Sequence, residues 1–349
     1  MVRVRLYDDV LHTLSPSLPH RTGAAVVDRA WECLGMTSGD QEGPIRSRHL
    51  PVLLDEAVTA LRPHPGGAYI DCTVGMGGHA EAVLGAAGPG ARLLGLDADP
   101  QALTLASGRL TRFGDAVVLE EANFRHLTAT AEDLGFTEVL GIVLDLGVSS
   151  LQLDTSERGF TFRGSGPLDM RFSPHQRVSA ADVVNTCPET ALADLIYRYG
   201  EERASRAIAR AIIASRPVTT GEQLAAIVER VLGRRRGMHP ATRTFQAIRI
   251  AVNDELGALR SVLPQALGLL RSGGRLAVIS FHSLEDRTVK EFFQQEVRGC
   301  ICPPKAPACV CGRLPTLSLV TRRPVRASLA EVSANPRSRS AVLRVAEKL

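Results

Sequence analysis

Glycines at 75, 77 and 78 and acids at 97 and 145 are spaced as parts of one binding site. The glycines follow Tyr69 in Y-I-D-C-T-V-G-M-G-G-H, Asp97 ends the next apolar run, and Asp145 ends a later one in D-L-G-V-S-S. Glycine tolerates positive φ and admits a ligand close to the backbone, so Gly75, Gly77 and Gly78 can floor a nucleotide-sized pocket. Asp97 is then placed to accept hydrogen bonds from a ribose. NAD and S-adenosylmethionine satisfy this pattern equally, and so does an ordinary tight strand-to-helix turn. Asp145 would face whatever the turn binds; its other reading is a cap on the turn that follows.

A second polar strand end, I-S-F-H-S-L-E-D-R from Ile279 to Arg287, brings Ser280, His282 and Ser283 to the mouth of the same sheet. No Cys or Ser nucleophile pattern accompanies His282, so a hydrogen bond to substrate or backbone suits it better than acid–base work. Ser283 and Asp286 loosely fit a capping box. Further on, Cys300, Cys302, Cys309 and Cys311 form two C-x-C pairs six residues apart, with prolines between them. Four thiolates can hold a structural zinc, although C-x-C is not the usual spacing and can strain a single-metal site.

Eleven arginines lie between Arg198 and Arg249, against Glu201, Glu202, Glu222 and Glu229. Arg203, Arg206 and Arg210 share one helical face, and Arg234, Arg235 and Arg236 make a basic knot near Arg243. Such clustering would hold several phosphates. A solvated helical face enriched by codon bias is the alternative, since the chain has 41 Lys and Arg together but lysine only at 290, 305 and 348.

These residues need elements to position them. Apolar runs at Ala68 to Val74, Arg92 to Ala98, Ala116 to Ala122 and Val139 to Gly147 alternate with helical spacing at Pro100 to Leu110 and Phe124 to Leu134. Right-handed crossovers make this a parallel, doubly wound sheet. The alternation stops between about 154 and 253, where helical stretches run Glu189 to Tyr199, Glu201 to Ser215, Thr220 to Leu232 and Ala241 to Leu256. It resumes at Gly274 to Phe281, Thr316 to Val320 and Ser340 to Ala346. The expected organisation is a mobile extension over 1–48, an α/β domain over 49–153 and 254–349, and an inserted helical substrate-binding domain over 154–253.

Length and composition set the bounds. The 349 residues suffice for one large or two medium domains. No apolar run nears the ~20 residues of a membrane span, and the N-terminus lacks a secretory pattern, so a cytoplasmic protein with no membrane partner is expected. A net charge of +4 permits nucleic-acid binding without requiring it. The scattered Cys33, Cys72 and Cys187 read as reduced thiols, and the oligomeric state is left open.

Several long motifs then occur in one order: H-L-P-V-L-L-D-E at His49 to Glu56, G-M-G-G-H at Gly75 to His79, and D-L-G-V-S-S-L-Q-L-D at Asp145 to Asp154. E-R-G-F-T-F follows at Glu157 to Phe162, G-P-L-D-M-R at Gly166 to Arg171, H-P-A-T-R-T-F-Q-A-I-R-I at His239 to Ile250, and S-F-H-S-L-E-D-R at Ser280 to Arg287. From about residue 49 onward the chain resembles the RsmH (MraW) family of 16S rRNA cytosine-N4 methyltransferases. The resemblance implies a class I S-adenosylmethionine-dependent, Rossmann-like fold with an inserted helical domain, acting on a cytidine in the decoding region of the small ribosomal subunit. It implies cofactor contacts at Gly77, Gly78, His79, Asp97, Phe124, Asp145 and Gln152, and it makes the basic insert an RNA clamp.

Cytosine N4 is a poor nucleophile because its lone pair is delocalised into the ring. An acceptor must orient the amine as its nitrogen pyramidalises. Many amino-methyltransferases use a D/N-P-P-Y/F turn here, whereas this chain has D-L-G-V. Asp145 or a carbonyl of its turn is therefore the expected acceptor, with Ser280 to Arg287 shaping the base pocket and no aromatic assigned to stack on the base. A dehydrogenase would predict nicotinamide binding, and a noncatalytic assembly factor would bind subunits without needing Gly77 or Asp97.

Overall fold

The computed structural model describes residues 3–5, 51–162, 164–233, 239–302, 308 and 310–349. Nine strands lie in one sheet among them: β1 (Arg3–Arg5), β2 (Ala68–Asp71), β3 (Arg92–Asp97), β4 (Val117–Glu121), β5 (Val139–Asp145), β6 (Leu270–Ser280), β7 (Leu317–Leu319), β8 (Val325–Arg326) and β9 (Val342–Lys348). Their order is β1-β4-β3-β2-β5-β6-β9-β7, with β8 beside β9. Strands β1 to β6 pair in parallel. Strand β9 is antiparallel to β6, β7 and β8. The segment read as a mobile extension thus contributes one edge strand, and its remaining residues lie outside those described.

Alternation along the strands explains why the runs read as continuously apolar. Leu93 faces one side of the sheet and Leu94 the other; Ile142, Val143 and Leu144 alternate likewise, as do Leu276, Ala277, Val278 and Ile279. Both faces are buried, as a parallel sheet requires. Helices α1 (Leu54–Leu61), α2 (Gly78–Ala87) and α3 (Pro100–Leu110) cover the first face, through Leu61, Val83 and Leu103. The second face packs on α4 (Leu127–Asp133) through Leu127 and Ala131.

After β5 the short α5 (Ser150–Asp154) leads into a region whose helices are α6 (Ala180–Thr186), α7 (Glu189–Gly200), α8 (Ser205–Ala214), α9 (Gly221–Leu232) and α10 (Thr242–Asn253). A third core fills it, with Phe160, Leu192, Ile196, Ile208, Leu224, Val228 and Ile248 buried together. The only bridge there among the described residues joins Pro167 and Thr220. Helix α11 (Glu255–Leu269) then returns to the sheet, and α12 (Ser283–Arg298) and α13 (Leu329–Ala334) complete the set. Val262, Leu263, Val289 and Phe293 from α11 and α12 join the second face.

The helical run expected from Ala241 to Leu256 is broken. Asp254 takes a left-handed conformation, φ 45°, and divides α10 from α11. A Cβ on Gly257 would fall 2.4 Å from the Asp254 carboxylate, so Gly257 makes room for the turned residue. Among the described residues, no helix is long and apolar enough to cross a membrane.

Candidate active site

Strand order reverses across the β2–β5 pair, with β3 and β4 on one side and β6 on the other, and the crevice beyond the carboxyl ends is the expected ligand position. The glycine turn lines it. Gly75 and Gly77 have φ 51° and 79°, which side chains with a Cβ adopt at a cost. Gly78 opens α2 under Pro51; a Cβ there would lie 2.2 Å from the proline Cγ. Asp97 joins the turn to β3, since Oδ2 accepts from Gly75 N at 2.9 Å and Oδ1 from Asp99 N at 2.9 Å.

Three acids end adjacent strands: Asp71 on β2, Asp97 on β3 and Asp145 on β5. Burial pushes Asp71 up to about 7, with the Asp97 charge adding to the push. Burial also brings Asp97 to about 6, although backbone N–H groups of Asp99 and Gly75 oppose it. Asp145 is held well above the usual carboxylate range, first by burial and then by the charges of Asp71 and Glu285. Asp71 Oδ2 and Asp145 Oδ1 are buried with no hydrogen-bond partner among the described residues. Such atoms are costly unless a ligand meets them.

His79 completes this wall. Its Nε2 lies 3.1 Å from Val52 O, and because a carbonyl only accepts, Nε2 carries the proton. Nδ1 faces Asp145 Oδ2 at 3.7 Å. The backbone N of Asp145 donates to Thr73 Oγ1 at 2.6 Å, which fixes the β5 end against the loop after β2.

Gln152 is turned inward. Its Nε2 donates to Asp99 Oδ2 at 3.1 Å while its Oε1 accepts from Ser149 N at 3.1 Å, closing a capping box at α5. Arg158 NH1 meets the same Asp99 oxygen at 2.5 Å, and its NH2 donates to the carbonyls of Arg171 and Phe172. Asp99 therefore ties the end of β3 to Gln152 on α5 and to Arg158 just after it. Phe124 lies on the turn after β4, half-buried against the second face.

At the end of β6, Ser280 is buried and His282 caps α12. The capping box is one residue earlier than the sequence suggested: His282 Nδ1 accepts from Glu285 N at 3.3 Å, and Glu285 Oε2 accepts from His282 N at 3.2 Å and Phe281 N at 2.8 Å. Burial alone would raise Glu285, but His282 beside it holds it below the usual range, with the Phe281 N–H assisting. Behind it, Arg249 forms a two-pronged ion pair with Glu255 at 2.7 and 2.9 Å. Ser283 donates to Glu201 Oε2 at 2.6 Å and Arg287 reaches its other oxygen at 3.1 Å.

The described arginines between Arg198 and Arg249 divide into inward and exposed ones. Arg216 donates to the carbonyls of Val184 and Cys187, and Arg249 is engaged with Glu255. Arg203, Arg206, Arg210, Arg230 and Arg243 are exposed, with Arg210 near Glu189 and Arg243 donating to Glu201 O at 3.1 Å. Arg234, Arg235 and Arg236 lie outside the described residues. Cys300, Cys302 and Cys311 converge far along the chain from these groups, and Cys309 lies outside the described residues.

Asp71, Asp99, Arg158, Glu255 and Glu285 were not singled out from sequence. Asp71 carried a signal nonetheless, being an acid within the otherwise apolar run Ala68 to Val74, where unpaired carboxylates are rare.

The crevice fits S-adenosylmethionine by its donor set. Asp97 keeps lone pairs for a ribose diol, Asp145 Oδ1 is an orphan acceptor for a cationic or N–H group, and Gly75 to Gly78 allow close backbone approach. This crevice, and a sheet in which antiparallel β9 is wedged between β6 and β7, define a class I S-adenosylmethionine-dependent methyltransferase. A profile of the MraW methylase family matches residues 46–349. Ribosomal RNA small subunit methyltransferase H of Dehalococcoides mccartyi (strain 195) is 54% identical over 302 residues, 86% of this chain and 86% of the relative. The protein of the same name from Thermomicrobium roseum is 52% identical over 312 residues, 88% of this chain and 96% of the relative. A solved rRNA methylase of Streptococcus thermophilus aligns with TM-score 0.37 at 11% identity over 84% of this chain and 93% of that one, too distant to carry a residue role. The chain belongs to the MraW methylase family.

Proposed function

We propose that this protein transfers a methyl group from S-adenosylmethionine to N4 of a cytidine in the decoding region of 16S rRNA, within the small ribosomal subunit. Its relatives carry the name of a small-subunit rRNA methyltransferase across nearly their whole length. The observation that carries the chemistry is Asp145, a strand-end acid with a buried, unpartnered oxygen beside the glycine turn.

The bound cofactor supplies an electrophilic methyl group. Asp145 accepts a hydrogen bond from the target amine, turning its lone pair out of conjugation, and takes the proton that N4 loses as the N–C bond forms. Burial and the Asp71 and Glu285 charges raise its affinity for a proton, which strengthens it as the acceptor of the one N4 loses. Asp97 would hold the ribose, with Gly77, Gly78 and His79 walling the same pocket. Gln152 acts through Asp99, keeping the β3 end in place, and Phe124, on the turn after β4, would help to hold the adenine. The target base leaves its stack to enter the crevice. Ser280, His282 and Ser283 shape the rim, with His282 acting as the helix cap that keeps Glu285 near Asp145.

The 154–253 helical region holds RNA through arginines that face solvent, among them the described Arg203, Arg206, Arg210, Arg230 and Arg243. Arg234, Arg235 and Arg236 belong to the same proposal from sequence alone. The test is incubation with methyl-labelled S-adenosylmethionine and unmethylated small subunits, followed by nucleoside mass spectrometry. Labelled N4-methylcytidine is expected; label confined to another nucleoside, or no label, contradicts the proposal.

A further inference from the structure

The link from α12 to β7 contains no helix or strand among its described residues, and Ile301, Val310 and Leu314 face solvent there. It has little apolar burial to hold it. Its base is fastened to Glu296: Arg313 NH2 reaches both carboxylate oxygens at 2.9 Å, Thr316 Oγ1 donates at 2.6 Å, and Thr316 N donates to the Glu296 carbonyl at 3.0 Å. The two limbs come together at Gly299, where a Cβ would stand 2.5 Å from Leu314 C and Pro315 N. Just beyond that contact the sulfur atoms of Cys300, Cys302 and Cys311 all lie within 4.8 Å of one another.

We propose that Cys300, Cys302 and Cys311 supply three thiolates to one Zn²⁺, which fastens the outer part of this link as Glu296 fastens its base. Cys311 Sγ and Cys300 Sγ are 3.8 Å apart. A Zn–S bond of about 2.3 Å places neighbouring thiolates of a tetrahedron about 3.8 Å apart, whereas a disulfide requires about 2.0 Å. Val310 N donates to Cys302 Sγ at 3.5 Å, the kind of N–H contact that stabilises a metal-bound thiolate from outside. Three sulfur donors select zinc over magnesium or calcium, which take oxygen. The fourth donor lies beyond these three; Cys309 completes the sequence pattern but is outside the described residues. Binding exchanges three S–H protons for one metal ion, with no change of oxidation state.

Full-length protein purified under reducing conditions without chelator should contain about one zinc per chain by elemental analysis. Cobalt substitution should give thiolate-to-cobalt charge-transfer absorption and the intense visible bands of a tetrahedral site. Cys300→Ser and Cys311→Ser should each lose the metal and the cobalt spectrum while S-adenosylmethionine binding, measured calorimetrically, stays as in wild type. Should those variants not fold, chelation of wild-type protein provides the same comparison: cleavage within residues 299–316 by a protease should rise when zinc is stripped and fall when zinc is restored. The proposal is overturned if wild-type protein holds no zinc after incubation with the metal and dialysis. It is equally overturned if cobalt shows no thiolate charge transfer, or if Cys300 and Cys311 are recovered as a disulfide in metal-free protein. None of these readouts depends on methyl transfer.

Discussion

The carboxyl ends of the sheet and the helical region between β5 and β6 handle charge in opposite ways. At the sheet ends, Asp71, Asp97 and Asp145 are crowded together, and two of their oxygens lack any partner among the described residues. In the helical region the interior is mainly apolar, buried Glu202 accepts from Ala204 N, the inward Arg216 and Arg249 are matched to carbonyls or to Glu255, and the other described arginines between Arg198 and Arg249 stand at the surface. Unmatched buried charge is costly, so it persists where a ligand or reaction uses it; matched charge builds a scaffold. On the proposed function, methyl transfer belongs to the first region and RNA holding to the second.

The comparison breaks first at Asp145. Asp145→Asn should lower the rate of methyl transfer by about 10²–10⁴-fold, the range for losing a positioned base, in a single-turnover assay. The same change made to a merely structural acid would lower stability and leave the rate per folded molecule unchanged.

On the scaffold side, Arg249→Ala leaves Glu255 buried and unpaired. Denaturant unfolding should show a loss of about 3–5 kcal/mol. Arg249→Met with Glu255→Met should recover most of that loss, because removing both charges removes the desolvation penalty as well.

Asp97 sharpens the contrast through pH. Its folded-state value is raised from 3.8 to about 6, so the folded protein binds this proton more tightly than the unfolded chain, and its stability falls as pH rises across that window. Cofactor binding runs the other way, because the ionised carboxylate is the better acceptor for a ribose diol. Affinity for S-adenosylmethionine should be full above about pH 6 and fall up to about tenfold per pH unit below it. Calorimetric titration of wild type beside Asp97→Asn checks this, since the variant should show weak binding without that step.

The smallest effect belongs to the surface. Arg203→Ala with Arg206→Ala should weaken RNA binding several-fold and reduce the slope of log affinity against log salt by about 1.4–1.8, the value for two lost phosphate contacts. Filter binding at several salt concentrations measures it.

Much of the sheet-end geometry was legible because strand ends and glycine turns are local signals. The apolar runs ending at Asp97 and Asp145 named two of the three acids directly. Asp71 was passed over because it sits inside its run, where pattern reading registers hydrophobic neighbours and not the single exception. The helix break at Asp254 left little trace, since apolar periodicity continues through it and what accommodates it is the absence of a side chain at Gly257 three positions on. His282 reads as a rim residue until the backbone shows it accepting from Glu285 N; histidine is an uncommon cap, and Ser283 beside it is a common one. Composition does not distinguish Arg216 and Arg249, which bind within the protein, from Arg203 and Arg206, which face solvent.

Single-turnover methylation at saturating S-adenosylmethionine and saturating small subunits tests the division most directly, because saturation removes differences in binding and leaves the transfer step. The Arg203→Ala, Arg206→Ala double variant is predicted to transfer at the wild-type rate under these conditions, while Asp145→Asn with normal cofactor affinity remains slow. A near wild-type rate for Asp145→Asn, or a saturated rate as low in the arginine variant as in the aspartate variant, would contradict the assignment of transfer to the sheet ends.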